Sequence, residues 1–355
     1  MARFVLNKNM KIIAYPAFKT KYKNPYNWLL YTNMLQQGVI VEEFSPNKLL
    51  SKKYDIFHLH WVVETIVRHP NPFIVWIRAI SMLILIDWVK STGTRIIWTM
   101  HDETPHSILH LQVADWFQKE FVKRIDGYIS LSTTGKTIAE QMLLPLKNKP
   151  CSIVPHGHYR DFYPNQITES QARKELNIPD NCKMLLFFGY IETYKNVPHL
   201  INVFRELAPS NWILVIAGKL ERDHLKTEIL SASENDYRIK LFLDYIPDNL
   251  VQLYFKAAEL VILPFKEILN SGSALLALSF DRPILAPYLG SMPELQSQVG
   301  KDWMKLYTGE LTTKTLNEGL IWSRQQKSHK SPSLDKLDWD ILSKKSLDFY
   351  RLTNR

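Results

Sequence analysis

The sequence predicts an α/β protein of two domains, each built on a parallel, doubly wound sheet. Three observations point there. The chain has 355 residues, room for two cores of about 150 to 200 residues each. Short apolar runs alternate with amphipathic stretches in both halves, the pattern of strand–helix units. The strongest turn signals stand just after the apolar runs, where a doubly wound sheet places its ligands. An apolar share of 46% with 22% charged residues excludes a disordered chain.

In the first half, Lys11 to Tyr15 reads as a strand, and Asn24-Pro25-Tyr26 opens a helix to about Gln37. Val39 to Phe44 and Asp55 to Leu59 are strands. Phe73 to Val89 is the most hydrophobic run and reads as a helix of this domain. Arg78 and Asp87 interrupt it, which argues against a bilayer span, whereas Trp76 and Trp88 suit a face dipping into a membrane interface. Arg95 to Met100 is a strand ending at His101-Asp102-Glu103, Asp126 to Leu131 is another, and Ser152 to Val154 precedes His156-Gly157-His158. Ser132-Thr133-Thr134-Gly135-Lys136-Thr137 imitates a P-loop end. Ser130 stands where the first glycine belongs, so a helix capped by Ser132 or Thr133 is the reading. The linker falls near Pro155 to Pro164.

The second half is more explicit. Lys183 to Phe188 is a buried strand, followed by Gly189-Tyr190-Ile191-Glu192-Thr193-Tyr194-Lys195-Asn196 and an amphipathic helix, Val197 to Leu207. Strand Trp212 to Ala217, a helix around Asp223 to Ser231 and a short strand near Ile239 to Leu243 come next. Tyr245-Ile246-Pro247-Asp248 opens a helix to Ala258, and strand Leu260 to Leu263 runs into Glu267, Asn270, Ser271, Gly272 and Ser273. That last turn opens a helix whose first amides, beside a glycine that admits close approach, form an anion site suited to a nucleotide diphosphate. An ordinary cap by Asn270 or Ser271 is the plainer account of the same residues. Trp339 to Leu352 is a final helical pattern with Leu342, Leu347 and Tyr350 near one face.

The order "FFGYIETYKN…WILVIAGKL…YIPDNLVQLYFKAAELVILPF…NSGSALLALSFDRPILAP…PEL" resembles the donor-binding domain of GT-B glycosyltransferases. The nearest group is the family 4-like transferases of bacterial polysaccharide and lipopolysaccharide synthesis, marked by an E-x7-E signature. "DIFHLHW", "IIWTMHDETPH" and "IVPHGHY" are similar to cleft-facing loops of that group. The resemblance implies a GT-B fold of two Rossmann-like domains. Residues 1–165 would bind the acceptor, residues 166–334 the nucleotide-sugar donor, and residues 335–355 would pack back on the first domain.

Carried over by residue, the resemblance makes Gly189 the strand-ending glycine and Lys195 the diphosphate-binding lysine. Ser271, Gly272 and Ser273 become phosphate contacts, Tyr245 and Ile246 base contacts, and Glu267 the first signature glutamate. Two positions depart from the family: Tyr190 replaces an arginine, and Leu275 stands where the second, ribose-holding glutamate belongs. Glu294 is a substitute candidate for the ribose. With the signature incomplete, both retaining and inverting transfer stay open.

An inverting transfer needs a general base at a strand end of the acceptor domain. His101, Asp102 and Glu103 occupy such a place, with Asp102 the base and His101 a contact to sugar or phosphate. Asp102 as a helix cap and His101 as a core histidine is the alternative. His156 is assigned to the cleft. His58 and His60 share a strand face without an identifiable third ligand, and no metal or other cofactor is expected.

Net charge is +9, and residues 1–165 hold 20 Lys/Arg against 12 Asp/Glu. Lys19, Lys21, Lys23, Lys48, Lys52, Lys53, Lys123, Arg124, Lys147 and Lys149 could form a basic face for a lipid diphosphate acceptor or an acidic glycan. They could equally be solvated surface lysines. No helix-turn-helix, zinc finger or RNP-like pattern accompanies the charge, so nucleic acid is not an expected partner. Cys151 and Cys182 lack ligand spacing, and no apolar export core lies in Met1 to Lys11. Both suit a cytoplasmic enzyme, peripheral on the inner membrane face. The expected activity is metal-independent transfer of a hexose, mannose by analogy, from a nucleotide diphosphate sugar to a glycan or lipid-linked acceptor. A catalytically weakened partner subunit is the alternative that Tyr190 and Leu275 motivate.

Overall fold

A computed structural model describes residues 10–101, 110–207, 211–325 and 331–353. The chain divides into two units, Met1–Gly157 with Lys336–Arg355, and His158–Asp335.

The first unit runs β1 (Lys11–Tyr15), α1 (Tyr26–Gln36), β2 (Ile40–Glu43), α2 (Pro46–Ser51), β3 (Ile56–His60), α3 (Val62–Val67), α4 (Pro72–Ser91), β4 (Arg95–Met100), α5 (Leu111–Arg124), β5 (Gly127–Ser130), α6 (Thr133–Met142) and β6 (Cys151–Ile153). Its six strands are all parallel, in the order β2-β1-β3-β4-β5-β6. The sheet therefore reverses direction of growth between β1 and β3, the switch point at which strand-end loops part. β3 is buried at every position, both faces being covered, as a central parallel strand requires.

The second unit runs α7 (Glu169–Glu175), β7 (Lys183–Phe188), α8 (Val197–Leu207), β8 (Trp212–Ala217), α9 (Asp223–Ser233), β9 (Ile239–Phe242), α10 (Val251–Ala257), β10 (Leu260–Ile262), α11 (Gly272–Ser279), β11 (Ile284–Pro287), α12 (Met292–Val299), β12 (Met304–Tyr307) and α13 (Thr313–Gln325). Strand order is β12-β11-β10-β7-β8-β9, again all parallel. Here the switch point lies between β7 and β10. These are the strands whose ends carry Gly189 and the Ser271–Ser273 turn.

The closing helix α14 (Trp339–Thr353) belongs to the first unit. Its buried face, Trp339, Leu342, Ser343, Ser346, Leu347, Phe349 and Tyr350, recurs at helical spacing and packs on α1. Gln37 Nε2 fixes the join by donating to Asp340 O (3.0 Å) and Ser343 Oγ (2.6 Å). Burying each large apolar side chain there contributes about 1.5–3 kcal/mol.

α4 is apolar on more than one face. Val75, Ala79, Leu83, Ile86 and Val89 are buried against its unit, while Phe73, Ile77, Ile80, Ile84 and Trp88 form an exposed stripe on another face. Arg78 is exposed, and Asp87 pairs with Arg124 at 3.0 Å. Several of the basic residues are already engaged. Lys48 and Lys52 pair with Glu42, Lys123 and Arg124 with Glu120, and Lys149 Nζ donates to the Lys123 and Ile125 carbonyls. Lys21 lies over the Trp28 ring at 4.3 Å.

Candidate active site

In the second unit three strand-end loops are knit together at the switch point. Gly189 ends β7 with φ 125°, a conformation that favours glycine, and a Cβ there would lie 3.1 Å from Ser273 Oγ. The loop after β7 thus rests against the start of α11. Lys266 N donates to Tyr194 O at 2.8 Å, tying the same loop to the one after β10. Gly290, φ 51°, brings the loop after β11 so close that a Cβ would fall 2.1 Å from Ile268 O, and Ser291 N donates to Leu269 O at 2.8 Å.

The helix start itself is well formed. Ser271 is the N-cap of α11, its hydroxyl accepting from Ala274 N at 3.1 Å, which leaves the amides of Gly272 and Ser273 at the positive end of the dipole. The cap and the anion site are therefore the same feature. Lys195 is buried, with Nζ donating to Tyr190 O (2.6 Å), paired with Glu192 (3.2 Å) and lying over the Tyr194 and Phe265 rings. Glu192 was not singled out in the sequence, although it precedes Lys195 by three residues. Its carboxylate holds the lysine head where a second anion would compete for it.

The remaining donor candidates spread outward. Glu267 is exposed on the loop after β10, and Asn270 is half-buried beside the cap. Glu294 lies in the first turn of α12, on the loop bonded to Leu269. Tyr245 and Ile246 sit past the end of β9, two strands from β7, with the Tyr245 hydroxyl 3.4 Å from Asp248. That loop runs on to α10, which starts at Val251, later than the sequence suggests. Tyr190 is half-buried, which raises its phenol above the ordinary range. Leu275 is buried inside α11, so a ribose-holding carboxylate at that position would have to be buried in an apolar helix face.

In the first unit His101 follows β4 directly and is buried. Asp102 and Glu103 lie outside the described residues. Parallel register sets Leu59 opposite Trp98 and His60 opposite Thr99, which brings the β3 histidines to the β4 end. His60 Nδ1 is 2.9 Å from His101 Nε2, and His58 Nε2 is 2.7 Å from Thr99 Oγ1. The His58/His60 pair thus gains a third histidine that local spacing could not show, because the contact crosses strands. Among the described residues no group of three His, Cys, Asp or Glu is arranged to hold a metal ion.

Burial favours the neutral form of all these imidazoles. His58 is pushed down to about 3, and His60 and His101 lie well below the ordinary range, each chiefly from desolvation. His156, half-buried against Tyr26 and Trp339, is held at about 4 by desolvation. Tyr26 meets both His101 and His156 edge-on, with ring centroids 4.9 Å away in each case. The P-loop imitation is an ordinary cap, with Ser132 Oγ accepting from Gly135 N at 2.9 Å.

Residues 168–276 match the family model "Glycosyl transferases group 1", which spans most of this strand-end cluster. The chain is 31% identical over 316 residues, 89% of its own length and 84% of the relative, to a GDP-mannose:glycolipid 4-beta-D-mannosyltransferase of Xanthomonas campestris pv. campestris. This chain is a GT-B glycosyltransferase. It is an enzyme that transfers a sugar from a nucleotide-sugar donor, and its two sheets and returning C-terminal helix are those of that fold. Solved structures agree on the fold at low identity. A glycosyltransferase from Rickettsia africae matches with TM-score 0.64, 11% identity and 98% and 99% of the two chains covered. Anabaena HepE in complex with UDP and glucose matches with TM-score 0.61, 15% identity and coverage of 98% and 97%.

Proposed function

We propose that this glycosyltransferase moves mannose from GDP-mannose to a lipid-linked glycan at a membrane face, as a cytoplasmic, peripherally bound enzyme of polysaccharide synthesis. The observation that carries the donor and acceptor is the similarity to the GDP-mannose:glycolipid mannosyltransferase, which extends over 89% of the chain and is not confined to the donor half. A β product from an ordinary α-linked nucleotide mannose requires inversion, hence a general base on the acceptor side. Asp102 is that base by sequence position. His101 suits it poorly, since burial depresses its basicity far below neutral pH.

On the donor side, Gly189 lets the backbone approach the diphosphate. The first-turn amides of α11 and Lys195 take up its charge as it leaves, so the reading needs no divalent cation. Lys195 must then exchange its Glu192 partner for phosphate oxygens. Glu267 is assigned to sugar hydroxyls, and Glu294 to the ribose in place of the residue that Leu275 replaces. The exposed stripe on α4 and the lysines of the first unit support contact with an anionic bilayer.

The test is transfer from labelled GDP-mannose to a lipid-linked glycan in anionic vesicles with excess chelator, followed by NMR of the product linkage. Transfer of mannose with a β linkage is expected, together with loss of vesicle binding in Ile80→Asp/Ile84→Asp. Preference for a UDP-sugar, or an α-linked product, would refute the reading.

A further inference from the structure

The His58-Leu59-His60-Trp61 motif has no assigned role in the donor chemistry, yet it builds a buried polar cluster in the first unit. His58, His60 and Thr99 are fully buried, and Tyr31 and Tyr350 close over them. Tyr31 hydroxyl lies 2.7 Å from His58 Nδ1 and 2.6 Å from His60 Nε2, and Tyr350 hydroxyl lies 2.7 Å from the same His58 Nδ1. Trp61 adopts a left-handed backbone, φ 40° and ψ 33°, which is strained for so bulky a residue. That conformation accompanies a close stack of its indole on His101, 3.9 Å between centroids at 18°. Strain, stacking and a hydrogen bond from His60 all converge on one ring at a strand end.

Counting protons along the chain fixes its direction. Tyr31 has one hydroxyl proton and two close ring nitrogens, so it donates to one and accepts from the other. If it donates to His58 Nδ1, that nitrogen's single lone pair also faces the Tyr350 oxygen at 2.7 Å, and the two hydroxyls compete for it. If His58 carries its proton on Nδ1, both tyrosine oxygens share that proton in a three-centre bond, and Thr99 donates to His58 Nε2. Tyr31 then donates to His60 Nε2, and His60 Nδ1–H donates to His101 Nε2. Only in this direction is no ring-nitrogen lone pair of His58 or His60 contested by two donors. We infer that Tyr350 of the C-terminal helix, acting through His58, Tyr31 and His60, holds His101 in the Nδ1-protonated tautomer, so that His101 serves the transfer as a hydrogen-bond donor and not as its base.

Tyr350, His58, Tyr31 and His60 are positioning residues on this account, and the functional half rests on the assignment of His101 to the transfer site. The full chain, labelled with ¹⁵N-histidine, is examined by long-range ¹H–¹⁵N NMR, with the His101 signals assigned by their loss in His101→Gln. The wild type is expected to show protonated Nδ1 and unprotonated Nε2 at His101. Tyr350→Phe removes the competing oxygen, so the Nε2-protonated tautomer becomes populated, and kcat falls roughly tenfold to a hundredfold while KM for the nucleotide sugar stays within about twofold. Thr99→Val leaves the tautomer unchanged. An Nε2-protonated His101 in the wild type would overturn the inference, and that spectrum decides even if Tyr350→Phe fails to fold. Unchanged tautomer and kcat in a folded Tyr350→Phe, with His101→Ala inactive, would overturn it while leaving the site assignment intact. Full transfer by His101→Ala would instead remove His101 from the reaction.

Discussion

Acid should unfold the first unit through its own histidines. In the unfolded chain an imidazole titrates near pKa 6.5, whereas His58 is pushed down to about 3 and His60 and His101 lie well below the ordinary value. The unfolded state therefore binds more protons as pH falls, and the stability these groups confer is present above pH 6.5 and is lost progressively below it. Between pH 7.5 and 5, each imidazole kept neutral takes about 2 kcal/mol from stability, so three together approach roughly 6 kcal/mol, a large share of a domain's total. Desolvation is the leading cause for all three. The assay is urea denaturation at a series of pH values, followed by a labelling pulse at one common pH and mass spectrometry of peptides from β3 and β4. These three rings should contribute an uptake approaching three protons on unfolding near pH 5, to which His156 adds. A flat midpoint between pH 7 and 5 would mean that these rings are solvated or already charged, and the proton count through Tyr31 would fail with it.

Two further outcomes concern the donor loops. Gly189→Ala forces a side chain into a left-handed backbone and 3.1 Å from Ser273 Oγ; nucleotide affinity should drop at least tenfold by isothermal titration, with the fold retained by circular dichroism. Ser271→Ala removes the cap bond to Ala274 N and should cost about 1 kcal/mol in urea melts of the second unit, as well as weakening nucleotide binding by displacing the first-turn amides.

Much of this was legible in the sequence because the responsible physics is local. The run Lys183 to Phe188 declared a buried strand, and Gly189 marked its end. Ser271 and Gly272 announced a helix start, and the helical spacing of Leu342, Leu347 and Tyr350 announced α14. What escaped was set by register between strands. His60 meets His101 only because β3 lies beside β4 in one particular alignment, and Tyr350 reaches His58 only because α14 returns across nearly 300 positions of sequence. The pairing of Lys195 with Glu192 was within reach, three residues apart, but whether two such charges meet depends on the turn between them. The stripe on α4 shows the converse: an apolar run reveals that a helix is hydrophobic, while which face stays exposed follows from packing on α5 and β4.

The most direct test of the central claim is a calorimetric titration of GDP and UDP into the full chain and into Lys195→Ala, in chelator. One saturable site that prefers GDP is expected in the wild type, weakened at least tenfold when the lysine is removed. Equal affinity in both proteins, or no binding of either nucleotide, would contradict the assignment of the Gly189, Lys195 and Ser271 cluster as the donor site.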